Sequence, residues 1–123
     1  MLPKVNRLKK KKDIERVFKS GRGFKEDFLI LKMVKNNLKN SRFAFIVSQK
    51  VSKKATLRNK IRRRLSELIR LKIKKIKKGR HPPITHPGVD IVIMALPGLE
   101  EKDFWETDEI INKLLQKTKC FKN

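Results

Sequence analysis

Between Ala55 and Lys74 the chain runs for twenty residues without a glycine or proline, and Leu57, Ile61, Leu65, Leu68 and Ile69 recur at helical spacing. This stretch is the longest predicted helix, with one apolar stripe to bury and other faces that are almost solidly basic. In 123 residues there are 34 Lys and Arg against 12 Asp and Glu, for a net charge of +22. Like charges at this density oppose the compact state unless a counter-charge is near, and nucleic acid is the abundant polymer that supplies one. The length excludes a multidomain enzyme, and 38% hydrophobic residues suffice for one core. Residues 1–80 carry 29 basic and 5 acidic side chains, whereas residues 81–123 carry 5 and 7. One end of the chain docks charge, and the other mostly builds the fold.

The remaining elements follow from periodicity. Asp13–Lys19 reads as a short helix with Ile14, Val17 and Phe18 on one face and Gly21 as its C-terminal stop. Phe28–Val34 and Arg42–Val47 read as the two strands of a hairpin, joined by a connection longer than a two-residue turn. Gly79-Arg80-His81-Pro82-Pro83 ends the long helix, and prolines stiffen the loop to Gly88. Val89–Leu96 is apolar on both faces, which suits a central strand. A last helix starts near Asp103 or Thr107, where Asp103 and Glu106 have the offset of a reciprocal cap and Ile110, Ile111, Leu114 and Leu115 supply the apolar face. The order α-β-β-α-β-α describes one compact α+β domain with a small, mainly antiparallel sheet. Helices cover one face of it, and the other is partly open.

Several features have ordinary structural explanations. The single cysteine, Cys120, allows neither an intrachain disulfide nor a cysteine zinc site, and a reducing compartment is expected. The longest apolar run, Ile91–Pro97, is too short to span a bilayer, and no apolar signal segment opens the sequence, so the expected location is the cytoplasm. His81 and His86 bracket a rigid loop without a companion cluster of ligands. The acids Asp103, Glu106, Asp108 and Glu109 crowd a helix start, where the dipole explains them. Phe24, Phe43 and Phe45 are expected in the core and Trp105 as an anchor of the last helix, while Phe18 suits either a core or a ligand platform. No nucleophile, acid/base pair or phosphate loop is evident, so no catalytic side chain is expected.

The most informative run is Lys53-Lys54-Ala55-Thr56-Leu57-Arg58-Asn59-Lys60-Ile61-Arg62-Arg63-Arg64-Leu65. On a helix Arg58 and Arg62 stand one turn apart, Asn59 and Arg63 stand beside them, and Lys60 with Arg64 widens the patch. The planar guanidinium fork can meet two phosphate oxygens at once, and Asn59 can both donate and accept.

Arg58-Asn59-Lys60-Ile61-Arg62-Arg63, preceded by Val47-Ser48-Gln49-Lys50-Val51, resembles the signature of the protein subunit family of bacterial ribonuclease P. The likeness extends from Arg7-Leu8-Lys9, through Val17-Phe18-Lys19-Ser20-Gly21, to Gly88-Val89-Asp90-Ile91-Val92-Ile93. Lys60 stands where many members have arginine, Gln49 where a basic residue is common, and Ser52 where glycine is frequent. The resemblance implies an accessory subunit of a catalytic RNA that removes 5′ leaders from precursor tRNA. Magnesium would be held mainly by RNA, and one protein would serve each RNA subunit. It assigns Arg58, Asn59, Lys60, Arg62 and Arg63 to the RNA subunit, and the basic run itself adds Lys53, Lys54 and Arg64 as further expected RNA contacts. Phe18, Phe28, Ile30, Lys32, Ser48 and Lys50 fall in the segments that hold the single-stranded leader. The resemblance also implies one domain over 1–123, in which 1–12 is a basic segment free to be flexible, and a left-handed β-α-β crossover.

The rival readings are a ribosomal or general structured-RNA-binding protein, which would show no dependence on leader length, and a DNA-binding protein with the long helix in a major groove. The second lacks a closely preceding positioning helix. A membrane-surface helix would need more aromatic material at its edge.

Overall fold

The computed structural model describes residues 4–36, 38, 40–77 and 88–118. A 3-10 turn at Lys4–Asn6 leads to α1 (Lys11–Ser20), followed by β1 (Arg22–Glu26), β2 (Leu29–Lys35), β3 (Arg42–Val47), α2 (Ala55–Lys77), β4 (Val89–Ala95), a second 3-10 turn at Leu99–Glu101, and α3 (Phe104–Thr118). The four strands lie in the order β1-β2-β4-β3, with β3 and β4 parallel and the other pairs antiparallel. The α+β class, the long helix and the central position of β4 agree with the sequence reading. The expected helix end at Gly79–Pro83, the loop with His81 and His86, and Cys120 lie outside the described residues.

The strand pairing and the number of strands are corrected. The strands Leu29–Lys35 and Arg42–Val47 do not form a hairpin, because β4 is inserted between them. The middle place goes to the strand with apolar residues on both faces: Val89, Ile91, Ile93 and Ala95 point to one core, and Val92 and Met94 to another. The true hairpin joins β2 to β1, an element that sequence reading missed. Phe24 is the only apolar residue of the five in β1, so no alternation marks the segment as a strand. Its place rests on backbone pairing and on Phe24 lying opposite Leu31.

One sheet face carries the main core. Leu29, Leu31, Phe43, Val47, Ile91 and Ile93 pack there against Ile61, Leu65, Leu68 and Ile69 of α2 and Ile110, Ile111, Leu114 and Leu115 of α3. The reciprocal cap of α3 forms as its spacing predicts. The Asp103 backbone N–H donates to Glu106 Oε1 at 3.1 Å, and the Glu106 N–H donates to Asp103 Oδ1 at 2.8 Å. Anchoring of this helix falls to Phe104, which packs on the core, whereas Trp105 is exposed and does not have the expected anchoring role.

The opposite face is only partly covered. There α1 lays Val17, fully buried, with Ile14 and Phe18 against Val92, Val34, Ala44, Ile46 and Met94. Gly21 ends α1 as expected but for a different reason: its φ of −78° is open to any residue, while a Cβ would stand 2.2 Å from the Val17 carbonyl oxygen. Residues 4–10, within the segment expected to be free to flex, lie along the outer edge of β3. Arg7 bridges to Phe43, the Leu8 N–H donates to the Phe43 carbonyl at 2.9 Å, and Asn6 Nδ2 donates to the Ser41 carbonyl at 2.8 Å. This covers part of a sheet edge that would otherwise be open to strand addition.

A polar cluster ties these parts together. Asp90, fully buried on β4, accepts from Arg42 Nε at 2.8 Å and Arg42 Nη2 at 2.7 Å, from Asn36 Nδ2 at 2.9 Å, and from Arg16 Nη2 at 3.2 Å. Arg42 also pairs with Asp13 at 3.5 Å. Burial alone pushes the Asp90 carboxyl up, but the bonds from Arg42, Asn36 and Arg16 outweigh it and hold the group below the ordinary aspartate value of 3.8. A depressed carboxylate contributes stability above its unfolded-state pKa and loses that contribution as pH falls through the folded-state value. Asp90→Asn should therefore cost about 3 kcal/mol at neutral pH, the low end for breaking a buried pair because Arg16 and Arg42 keep some solvent. In denaturant titrations the gap between wild type and variant should narrow below about pH 4.

Candidate nucleic-acid interface

The approach to α2 is a short folded loop. Val51 is buried, its N–H donates to the Ser48 carbonyl at 3.1 Å, and the Lys50 N–H donates to Ser48 Oγ at 3.3 Å. Ser48 and Lys50 are exposed here, and Lys53 and Lys54 follow on the same exposed approach. Because Leu57, Ile61 and Leu65 are held by the core, the rotation of α2 about its axis is set, and Asn59, Lys60 and Arg63 face solvent.

The basic residues then divide by task. Arg58 Nη1 donates to the carbonyls of Ser52 and Lys53, both at 3.0 Å, so this side chain also ties the approach loop to the helix. Arg62 donates to Asn59 Oδ1, which orients both side chains on one flank of α2. Arg64 turns the other way and donates to the Lys102 carbonyl at 2.9 Å, ahead of α3. Lys60 and Arg63 have no such tie among the described residues.

Beside the motif, a groove of about 640 Å³ follows β3. Asn59, Arg62, Arg63 and Ser66 of α2 form one wall, Arg7 and Lys9 contribute to the other, and Leu8, Ile14, Ala44 and Ile46 give it an apolar lining. Cationic walls over an apolar surface fit an unstacked nucleic-acid strand, whose phosphates and bases have opposite demands. Arg7 and Lys9 were not among the site residues inferred from sequence. Only the pairing of Arg7 with Phe43, across a separation that no local pattern reveals, brings them here.

On the partly open sheet face the register aligns Ile30 with Met94 and Ile46, and Lys32 with Val92 and Ala44. Phe18 of α1 stands over this surface, and Lys32 Nζ lies 5.4 Å from its ring centre. Phe18, Ile30 and Lys32 are thus brought together. Phe28 is not: it packs with the main core, against Gly98, whose φ of 110° and missing Cβ leave room for the ring. Ser48 and Lys50 sit in the loop beyond the end of β3.

No group of three or more His, Cys, Asp or Glu able to hold a metal ion occurs among the described residues. Around the groove the uncharged side-chain oxygens are those of Asn59 and Ser66, set among arginines, which does not fit the oxygen cage that a magnesium ion requires.

A family model for ribonuclease P matches residues 2–119. The chain belongs to the ribonuclease P protein family. Among curated relatives, the ribonuclease P protein component of Clostridioides difficile is 37% identical over 112 residues, which cover 90% of each chain. The solved ribonuclease P protein of Thermotoga maritima is 30% identical, with a TM-score of 0.71 over 90% of this chain and 96% of that one. That of Staphylococcus aureus shares the fold, with a TM-score of 0.77 over 95% and 98% at 24% identity.

Within this chain the geometry separates two arginines that look equivalent in sequence. Arg63→Ala should lower the logarithmic salt slope of RNA binding by about one and leave stability within about 0.5 kcal/mol. Arg58→Ala should do the same to the slope but also cost about 1 kcal/mol, because two carbonyl bonds are lost. Salt titrations of binding together with denaturant unfolding separate the two.

Proposed function

We infer that this chain acts as the protein subunit of ribonuclease P, the endoribonuclease of tRNA 5′ processing, with the RNA subunit as its partner. The family supports the subunit assignment. The observation that carries the residue-level reading is the continuity of three surfaces: the Arg58–Arg63 face of α2, the groove along β3, and the apolar sheet face under Phe18. The first is suited to a large folded RNA. The other two are suited to a single strand, which we assign to the 5′ leader of precursor tRNA.

On this reading the protein reduces the repulsion between two polyanions by placing cationic side chains between them. Arg58, Asn59, Lys60, Arg62 and Arg63, with Lys53, Lys54 and Arg64, meet RNA-subunit phosphates. Phe18, Ile30 and Lys32 grip leader nucleotides, with Ser48 and Lys50 at the far end of the same path. Phe28 would reach the strand only at the rim, since its ring is committed to the core. Phosphodiester hydrolysis falls to the RNA subunit, and magnesium to RNA phosphates. One protein per RNA and a cytoplasmic location complete the proposal. Among the described residues no helix is long and apolar enough to cross a membrane.

The direct test is cleavage of precursor tRNA by a bacterial ribonuclease P RNA at low magnesium, with and without the protein. Stimulation is expected, and it should grow as the leader lengthens from one nucleotide to several. Absence of stimulation with every compatible RNA would overturn the reading. Phe18→Ala should raise KM about tenfold for the long-leader substrate, the scale of one lost base stack, and leave the one-nucleotide leader unaffected.

A further inference from the structure

Gly23 is the second residue of β1, and nothing in the fold asks for a glycine there. Positive φ angles occur only at Asp27 and Gly98 among the described residues. A Cβ built on Gly23 would meet only the Lys32 side chain, at 3.9 and 4.0 Å, which is ordinary van der Waals contact. Glycine weakens a strand, and one that neither backbone angle nor crowding requires points to a place where a ligand comes close to the main chain.

The face on which Gly23 lies is fixed by its neighbours. Phe24 packs against the main core, and Glu26 pairs with Lys117 of α3 on that same side. Gly23 and Lys25 therefore turn to the partly open face, where the register sets them opposite Lys32 and Ile30. Lys32 leans over Gly23 and brings its Nζ to 5.4 Å from the Phe18 ring centre. A patch of bare backbone thus lies at the outer edge of the sheet, bordered by Lys25 and Lys32, with Phe18 beyond.

Charge selects the occupant. Lys25 is exposed, and its ammonium has no ion pair among the described residues. The acids next to it in sequence are turned elsewhere, Glu26 to Lys117 and Asp27 to a cleft against α3 that Lys102 also lines. On α1, Glu15 is outnumbered by Lys11, Lys12 and Lys19, and Asp13 is paired with Arg42. The surroundings are net cationic and the floor is flat and uncharged. That combination suits an unstacked nucleotide, whose base can lie on the backbone while its phosphates meet ammonium groups.

We propose that Gly23 and Lys25 form a distal subsite for one nucleotide of the 5′ leader, beyond those held by Phe18, Ile30 and Lys32. The proposal deepens the leader reading above and rests on it. Of the two sheet edges, β1 is the one opposite the groove along β3, so a strand crossing from that groove reaches Gly23 last. Three strand spacings separate the two edges, about 14 Å. Only a leader of several nucleotides spans that distance.

The test uses this chain assembled with a bacterial ribonuclease P RNA, and precursor tRNAs with leaders of one nucleotide and of several. Gly23→Val puts a strand-favouring side chain on the patch, so its melting temperature should match or exceed that of the wild type. Its KM for the long leader should nevertheless rise about tenfold, the scale of one lost base contact, with kcat unchanged. Lys25→Ala should raise the same KM and lower the logarithmic salt slope by about one. Because the Lys25 side chain is exposed, that variant keeps the test readable if Gly23→Val melts early. Both effects should fall away with the one-nucleotide leader. The subsite is overturned if both variants keep the wild-type KM for the long leader while Phe18→Ala raises it; the leader reading then stands. It is overturned too if KM rises equally at every leader length, which would give the patch to another part of the RNA. If Phe18→Ala shows no dependence on leader length either, the leader reading and the subsite fall together.

Discussion

The buried carboxylate of Asp90 joins parts of the molecule that no apolar contact alone would hold in register. It lies on the central strand, and its three donors come from α1, from the end of β2 and from the start of β3. The apolar patch under α1 is small, with Leu8, Val17 and Val92 as its buried members. Apolar contact is also non-directional and tolerates sliding. Hydrogen bonds to a fixed carboxylate do not. The angle at which α1 crosses the sheet, and with it the position of Phe18 over Lys32, therefore depends on a carboxylate buried beneath the surface it positions.

The same economy appears in α2. Its apolar stripe fixes the rotation of the helix, and the remaining faces are distributed among separate tasks: Arg58 toward the approach loop, Asn59 with Arg62 and Arg63 along the groove, Arg64 toward α3. A uniformly basic helix would bind any polyanion in many poses. Side chains tied to carbonyls or to one another keep fewer rotamers and would lose less freedom on meeting an anion.

Much of this was legible in the residues themselves. The helical spacing from Leu57 to Ile69, the two-sided apolar run at Val89–Leu96 and the Asp103–Glu106 offset each encode a local structure, and each appears as read, with the strand ending one residue earlier at Ala95. What could not be read depended on partners distant in sequence. The short strand at Arg22–Glu26 has no pattern of its own, and the insertion of β4 between β2 and β3 follows from competition among three strands for the buried middle. The basic motif of the site was visible as a helical array, but the contribution of Arg7 and Lys9 to the groove required knowledge of which edge residues 7 and 8 would join. Phe28 and Trp105 show a further limit. Periodicity places a side chain on a face, and whether that face meets a core depends on what else packs there.

The topology has a consequence for how the chain acquires its shape during synthesis. The strand that must occupy the centre of the sheet begins at Val89, after nearly the whole cationic part of the molecule has been made. Until then β2 and β3 have no common neighbour, and Arg42 and Arg16 have no buried carboxylate to meet. The nascent chain is a polycation in which β3 has no partner strand and β2 has only β1 on one edge, a state that favours contact with a polyanion or with another chain. A polyanion met at that stage would screen the repulsion before the sheet can close, so the order in which the residues emerge sets when a counter-charge is most needed.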